Sequence, residues 1–167
     1  MYSSFILWII SISTNLISVI GIDVSQYFPY IWILHIGMIV ISFPTILYAK
    51  NNPIETDQDN SFFNSGIPLI PYFKKSPTWL NTIVIAGFTY AVLSFIITKN
   101  SYIGTPEIDN GKYILSEHGQ FIKNITEMEF HKLKANELIG FSGIWISFYG
   151  LEYLLLKQIV NQIETEE

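Results

Sequence analysis

Leu138-Ile139-Gly140-Phe141-Ser142-Gly143-Ile144-Trp145-Ile146-Ser147-Phe148-Tyr149-Gly150-Leu151-Glu152-Tyr153-Leu154-Leu155-Leu156 carries a single charge, at Glu152. As a helix rising about 1.5 Å per residue it is long enough to cross a hydrocarbon core of about 30 Å. Three further apolar runs, over residues 3–22, 30–47 and 79–98, have the same reach. Half of the 167 residues are hydrophobic, 14% are charged, and the mean hydropathy is +0.36. A soluble domain carries charge on about a quarter of its residues. These features predict an all-α membrane protein: one four-helix transmembrane domain over 1–167, with a small extramembrane β-meander between helices 3 and 4.

The meander is expected in the loop over 100–135. Residues 105–108, 113–116 and 121–125 read as short strands, separated by Asp109-Asn110-Gly111 and Glu117-His118-Gly119-Gln120, which carry turn chemistry. Thr126 and Glu129 then form a T-x-x-E capping box ahead of an apolar-periodic stretch without proline. A helix from Glu127 to about Val160 exceeds the hydrocarbon thickness, so the fourth span should project from the bilayer and carry the meander on its extension. The insertion is part of the single domain.

Several boundaries have chemical support. Tyr27, Phe28, Tyr30 and Trp32 flank the first loop, and Tyr48, Tyr72, Phe73, Trp79 and Tyr102 stand near other span ends, where half-wet rings suit the headgroup layer. The second loop begins acidic with Glu55, Asp57 and Asp59 and turns apolar at Phe62-Phe63. Its Pro68, Pro71 and Pro77 oppose a long helix, so it is expected to lie in the interface with Lys74 and Lys75 at the headgroups. The first run has no basic segment before it and no small-residue cleavage site after it, so it reads as a retained span. Lysines divide almost evenly between the two sides. The lysine-free first loop with Asp23 favours cytoplasmic termini.

Composition also excludes some chemistry. The chain has no cysteine and no arginine, and its net charge is -5, which removes thiolate chemistry and makes nucleic acid an unfavoured partner. No phosphate-cradling glycine loop, Ser/His/Asp order or H-E-x-x-H element is present. His35 is the only histidine in a span, so haem lacks a second axial imidazole, and no cofactor is expected.

The residues left to consider are few. Glu152 is the costliest residue to place in a bilayer. It is a candidate proton or cation relay, and the alternative is a carboxylate that reaches the interface or pairs with a lysine such as Lys157. His35 and Asn15 are the other intramembrane polar candidates, and Pro44 is a candidate kink. Small residues recur at helical spacing: Gly140, Gly143, Ser147 and Gly150; Gly87, Ala91 and Ser94; and Ser11, Thr14, Ser18 and Gly21. Such stripes allow close helix packing within the chain or a seam between copies. Outside the bilayer, Glu127 and His131 lie at i and i+4, and His118 in its turn is a possible third metal ligand. The meander residues Tyr113, Leu115, His118 and Phe121 are the candidate interaction surface.

The segments Gly104-Thr105-Pro106-Glu107-Ile108, Gly111-Lys112-Tyr113-Ile114-Leu115, His118-Gly119, Lys134-Ala135-Asn136-Glu137 and Phe141-Ser142-Gly143-Ile144-Trp145 resemble a pattern in small bacterial four-span membrane proteins of no assigned function. Ile22-Asp23-Val24 and Pro77-Thr78-Trp79-Leu80 extend the resemblance over most of the chain. It implies a bacterial cytoplasmic-membrane protein and brings no activity with it. Where that pattern often has a His between the Gly and Trp of its last motif, this chain has Ile144, so a metal or proton role for that position does not carry over.

These readings favour a non-catalytic membrane protein, acting through the 100–135 loop as an interaction or accessory subunit, with a membrane-protein partner or as a homo-oligomer. The alternative is a small oligomeric transporter or channel using Glu152, and after it a metal-dependent membrane enzyme.

Overall fold

The apolar runs become helices, and one of them organises the rest. The computed structural model describes residues 1–52, 54, 69–100 and 104–166. The acidic and Phe62-Phe63 parts of the second loop, and Tyr102, lie outside the described residues. Helix α1 spans Tyr2–Val19, the short α2 Val24–Tyr27, α3 Ile33–Asn51 after a 3-10 turn at Pro29–Trp32, α4 Ile70–Lys75, α5 Thr78–Asn100 and α6 Glu127–Glu166. Four helices are long and apolar enough to cross a membrane: Tyr2–Val19, Pro29–Asn51, Thr78–Asn100 and Glu127–Glu164. The chain has the makeup of a multi-pass membrane protein.

The first span is shorter than expected. Gly21, at φ +87, ends α1 just past Ile20, and Ile22 N–H reaches back to the Ile17 carbonyl while Gly21 N–H bonds that of Ser18. This is the glycine-terminated helix end that only a left-handed residue permits. Gly21 therefore stops the helix instead of joining its small-residue stripe, and a Cβ there would meet nothing within 4 Å. Helix α3 runs through Pro44 without interruption. The fourth helix has 40 residues and extends past the expected end near Val160.

Helix α6 is the hub. α1, α3 and α5 all pack on it and touch one another little. The most apolar stretch of α6 is 67% buried, against 33% or less in the other three spans. Asn15 meets Ser142 and Trp8 meets Gly150, so α1 runs antiparallel to α6. His35 meets Trp145 and Ser42 meets Glu152, so α3 runs parallel to it. Both termini therefore share one end of the bundle, and the first loop and the sheet share the other.

Three antiparallel strands, β1 Thr105–Asp109, β2 Lys112–Glu117 and β3 Gln120–Asn124, form a meander in the order β1-β2-β3. Asn110 and Gly111, and then His118 and Gly119, take positive φ in the two turns, as tight hairpins require. A bulge lies opposite Leu115 and Ser116. The capping box forms as predicted. Glu129 accepts from the Thr126 backbone N–H at 2.8 Å, and Thr126 Oγ1 accepts from the Glu129 N–H at 3.2 Å.

The glycine stripes of α5 and α6 meet within the chain. A Cβ on Gly143 would stand 2.7 Å from Ser94 Oγ and 3.3 Å from Ala91 Cα, and one on Gly87 would stand 3.9 Å from Ser147 Cα. Gly140 has the same closeness to Thr98, and Gly150 to the Trp8 ring. Small residues let backbones approach where lipid gives no hydrophobic drive. Gly143→Leu should therefore separate α5 from α6 and cost about 1–3 kcal/mol. The check is thermal unfolding in detergent, where Ile139→Leu, a volume-conserving swap on the same helix, should melt close to the wild type.

Candidate functional site

Many polar side chains of the spans turn inward, while the exposed hydroxyls of Ser13, Thr82 and Thr89 bond the carbonyl one turn back. Ser4, Ser11, Thr14, Asn15 and Ser18 of α1 and Ser42 and Thr45 of α3 are buried, as is Ser94 of α5. Several serine and threonine hydroxyls return to the carbonyl one turn back, as Ser11 does to Leu7 at 2.8 Å and Thr45 to Ile41 at 2.8 Å. That bond satisfies the hydroxyl within its own helix and frees the stripe to pack.

Among the described residues, polar junctions tie the outer spans to α6 at three levels. Near the sheet end, Asn15 donates to Ser142 Oγ at 2.9 Å and to the Ile139 carbonyl at 3.2 Å, and its Oδ1 accepts from Tyr90 at 2.7 Å. This ties α1, α5 and α6 at one level. In the middle, Trp145 donates its indole N–H to His35 Nδ1 at 3.1 Å, and Tyr149 donates to the Leu34 carbonyl at 2.7 Å. His35 is thus a half-buried acceptor with the proton on Nε2. Nearer the termini, Ser42 donates to Glu152 Oε1, and Ser4 stands beside the carboxyl group.

Glu152 is 1% exposed, and its Oε2 has no hydrogen-bond partner. It does not pair with Lys157, whose ammonium lies 5.8 Å from the Trp79 ring and 5.9 Å from that of Tyr153. One turn along α1 from Ser4, the Trp8 indole N–H is also buried without a partner. An indole N–H of α1 and a carboxyl oxygen of α6 are thus both buried without a partner.

A second site joins the extramembrane parts. Asp23 caps α2 through the Ser25 N–H at 3.0 Å and receives His131 Nδ1 at 2.8 Å. The Asp23 side chain is 2% exposed and that of His131 26%. Tyr113 donates to Glu127 at 3.2 Å and packs on Phe130 with ring centroids 5.0 Å apart. Burial, with the hydrogen bond and charge of Glu127, raises the Tyr113 phenol above its ordinary value of 10.0.

Of the expected metal ligands, His131 is thus taken by Asp23 and Glu127 by Tyr113, while His118 is exposed in its turn. Among the described residues no three His, Asp or Glu side chains stand where they would hold one ion. The expected interaction surface divides in two. Tyr113 and Leu115 face α6, whereas His118 and Phe121 are exposed. Asp23 was not visible as a functional residue, because its partner is 108 positions away. No family model, curated protein or solved structure matches this chain.

Two outcomes follow. His131→Ala leaves a buried carboxylate without its imidazole and should cost about 1–3 kcal/mol, with faster hydrogen exchange at residues 23–27. The raised phenol binds its proton more tightly in the folded state, so this contact stabilises below pH 10 and is lost as pH rises further. The ultraviolet difference titration of wild type against Tyr113→Phe should show a phenol ionising above 10.0. Glu127→Gln should bring it down.

Proposed function

We propose that this chain is a non-catalytic multi-pass membrane protein that presents its β-meander as an interaction surface, as an accessory subunit of a larger assembly. One observation carries the reading: Phe121 is 59% exposed, Ile108 60% and Met128 80%, on a sheet and helix turn at the water-facing end of the bundle. Lipid would cover the exposed apolar side chains on the spans, whereas these three lie on the sheet and the first turn of α6 and no described residue covers them. The support beneath them is rigid, since Tyr113–Glu127, Tyr113–Phe130 and Asp23–His131 fasten sheet, helix extension and first loop together. A surface fixed in advance loses little entropy on binding.

The same reading puts the protein in a bacterial cytoplasmic membrane with cytoplasmic termini. The lysines divide almost evenly between the two ends, and the lysine-free first loop with Asp23 supports that orientation. A second reading, a small oligomeric transporter or channel, is favoured by one specific observation, the buried Glu152 Oε2 without a partner.

Native mass spectrometry of protein extracted from its own membranes tests the first reading. A defined heteromeric mass is expected, and Phe121→Glu with Ile108→Glu should reduce it to the single chain while helicity and melting stay unchanged. A particle holding only copies of this chain, unaltered by those substitutions, would overturn it. For the second reading, purified Glu152→Gln in liposomes should lose a proton or ion flux that the wild type shows.

A further inference from the structure

Between the sheet and the α6 extension lies a cleft of about 400 Å³. Its floor is apolar, formed by Leu115 of β2, Ile125 and Leu133, and its rim carries Lys123, Lys132 and Asn136. On α6, Glu129, Lys132, Leu133 and Asn136 follow the i, i+3, i+4, i+7 spacing of one helix face. That face is distinct from the one that carries Phe130 and His131. The cleft is therefore separate from the Asp23–His131 and Tyr113–Glu127 contacts, and the inference does not rest on the function proposed above.

Its depth follows from the neighbouring span. Lys99, in the last turn of α5, and Glu137 line the same small hollow of about 120 Å³, with Gly140 and Phe141 below them. Lysine and glutamate at one level mark the edge of the hydrocarbon. Asn136 is one residue above that level, and Glu129 seven residues further along, about 10 Å at about 1.5 Å per residue. The headgroup layer is about 5–7 Å deep on each side of a bilayer. The cleft thus opens in the headgroup layer and rises just beyond it.

Its charge is unusual for this chain. In a protein of net charge -5, the cleft holds two lysines and one acid. Glu129 is already engaged by Thr126 through backbone and hydroxyl. Lys123 acts on Glu129 only through space, and among the described residues neither Lys123 nor Lys132 makes an ion pair. Two exposed ammonium groups above an apolar floor at headgroup level match a phosphate joined to a hydrocarbon chain.

We propose that this cleft binds one anionic phospholipid of the adjoining leaflet, with its phosphate between Lys123 and Lys132 and the start of an acyl chain on Leu115, Ile125 and Leu133. A lysine near an anionic lipid is worth about fivefold in affinity, so the pair, partly opposed by Glu129, should give at least about tenfold preference over a zwitterionic lipid.

The test is native mass spectrometry of the full chain in mild detergent, titrated with phosphatidylglycerol or with phosphatidylcholine of the same acyl chains. One phosphatidylglycerol per chain is expected to bind at least about tenfold more tightly than phosphatidylcholine. Lys123→Gln with Lys132→Gln should abolish that preference, and Lys112→Gln, in the first hairpin and outside the cleft, should keep it. Leu133→Trp fills the floor, leaves both charges in place and should weaken phosphatidylglycerol binding, so it decides the matter if the double variant does not fold. Equal binding of the two lipids, or full preference in the double variant or in Leu133→Trp, would overturn the proposal. Displacement of phosphatidylglycerol by millimolar glycerol phosphate or inorganic phosphate would also overturn it, by showing a site for a free anion.

Discussion

Inside hydrocarbon a polar group has only protein to bond with, and this requirement shapes the bundle around α6. Each outer span directs buried polar side chains toward the bundle interior: Ser4, Ser11, Thr14 and Asn15 from α1, Ser42 and Thr45 from α3, and Ser94 from α5. Their opposite faces are apolar and exposed, as at Ile9, Leu16, Ile36, Phe43, Ile85 and Val92. The central helix meets them with glycine and serine where backbones must come close, and with Ser142, Trp145, Tyr149 and Glu152 where a bond must cross. An arrangement with one buried helix and three lipid-facing ones concentrates the polar atoms on a single element. That makes α6 intolerant of added volume at Gly140, Gly143 and Gly150.

Because α6 is also the longest helix, it carries this order beyond the bilayer. Its first turns are capped by Thr126 and Glu129 and receive β2 on one face and the first loop on another. The sheet is too small to stand alone, since three strands need a covered face. Phe130, buried against Tyr113, supplies part of that cover. Asp23 joins the first loop to the same extension, so a movement of α6 would be felt at both extramembrane parts together.

Glu152 stands apart from this economy of satisfied groups. Asn15, His35 and Asp23 each bond to another element, whereas Glu152 keeps one carboxyl oxygen without a partner. Buried polar atoms left without partners cost about 1–3 kcal/mol each. Among the described residues Trp8 and Ser18 of α1 and Asn81 of α5 bear the same cost, and Glu152 is the acid among them, on the helix that the other spans contact.

Much of this was legible in the residues. Hydropathy and length gave the four spans, Asn110-Gly111 and His118-Gly119 gave the two turns, and Thr126 with Glu129 gave the start of the last helix, because each depends on neighbours close in sequence. The glycine stripes were also visible, but whether they faced one another or a second copy was not. The pairing of Asn15 with Ser142, His35 with Trp145, Ser42 with Glu152 and Asp23 with His131 joins residues more than 100 positions apart. Such contacts follow from which helix becomes the centre and how each is rotated about its axis, and helix periodicity leaves both undetermined. The sequence by itself therefore determined the elements and their order. Only the tertiary structure decided that Glu152 faces serines and not a lysine, that His131 belongs to Asp23, and that two lysines line one cleft with Leu115 and Leu133, because these depend on packing between distant segments.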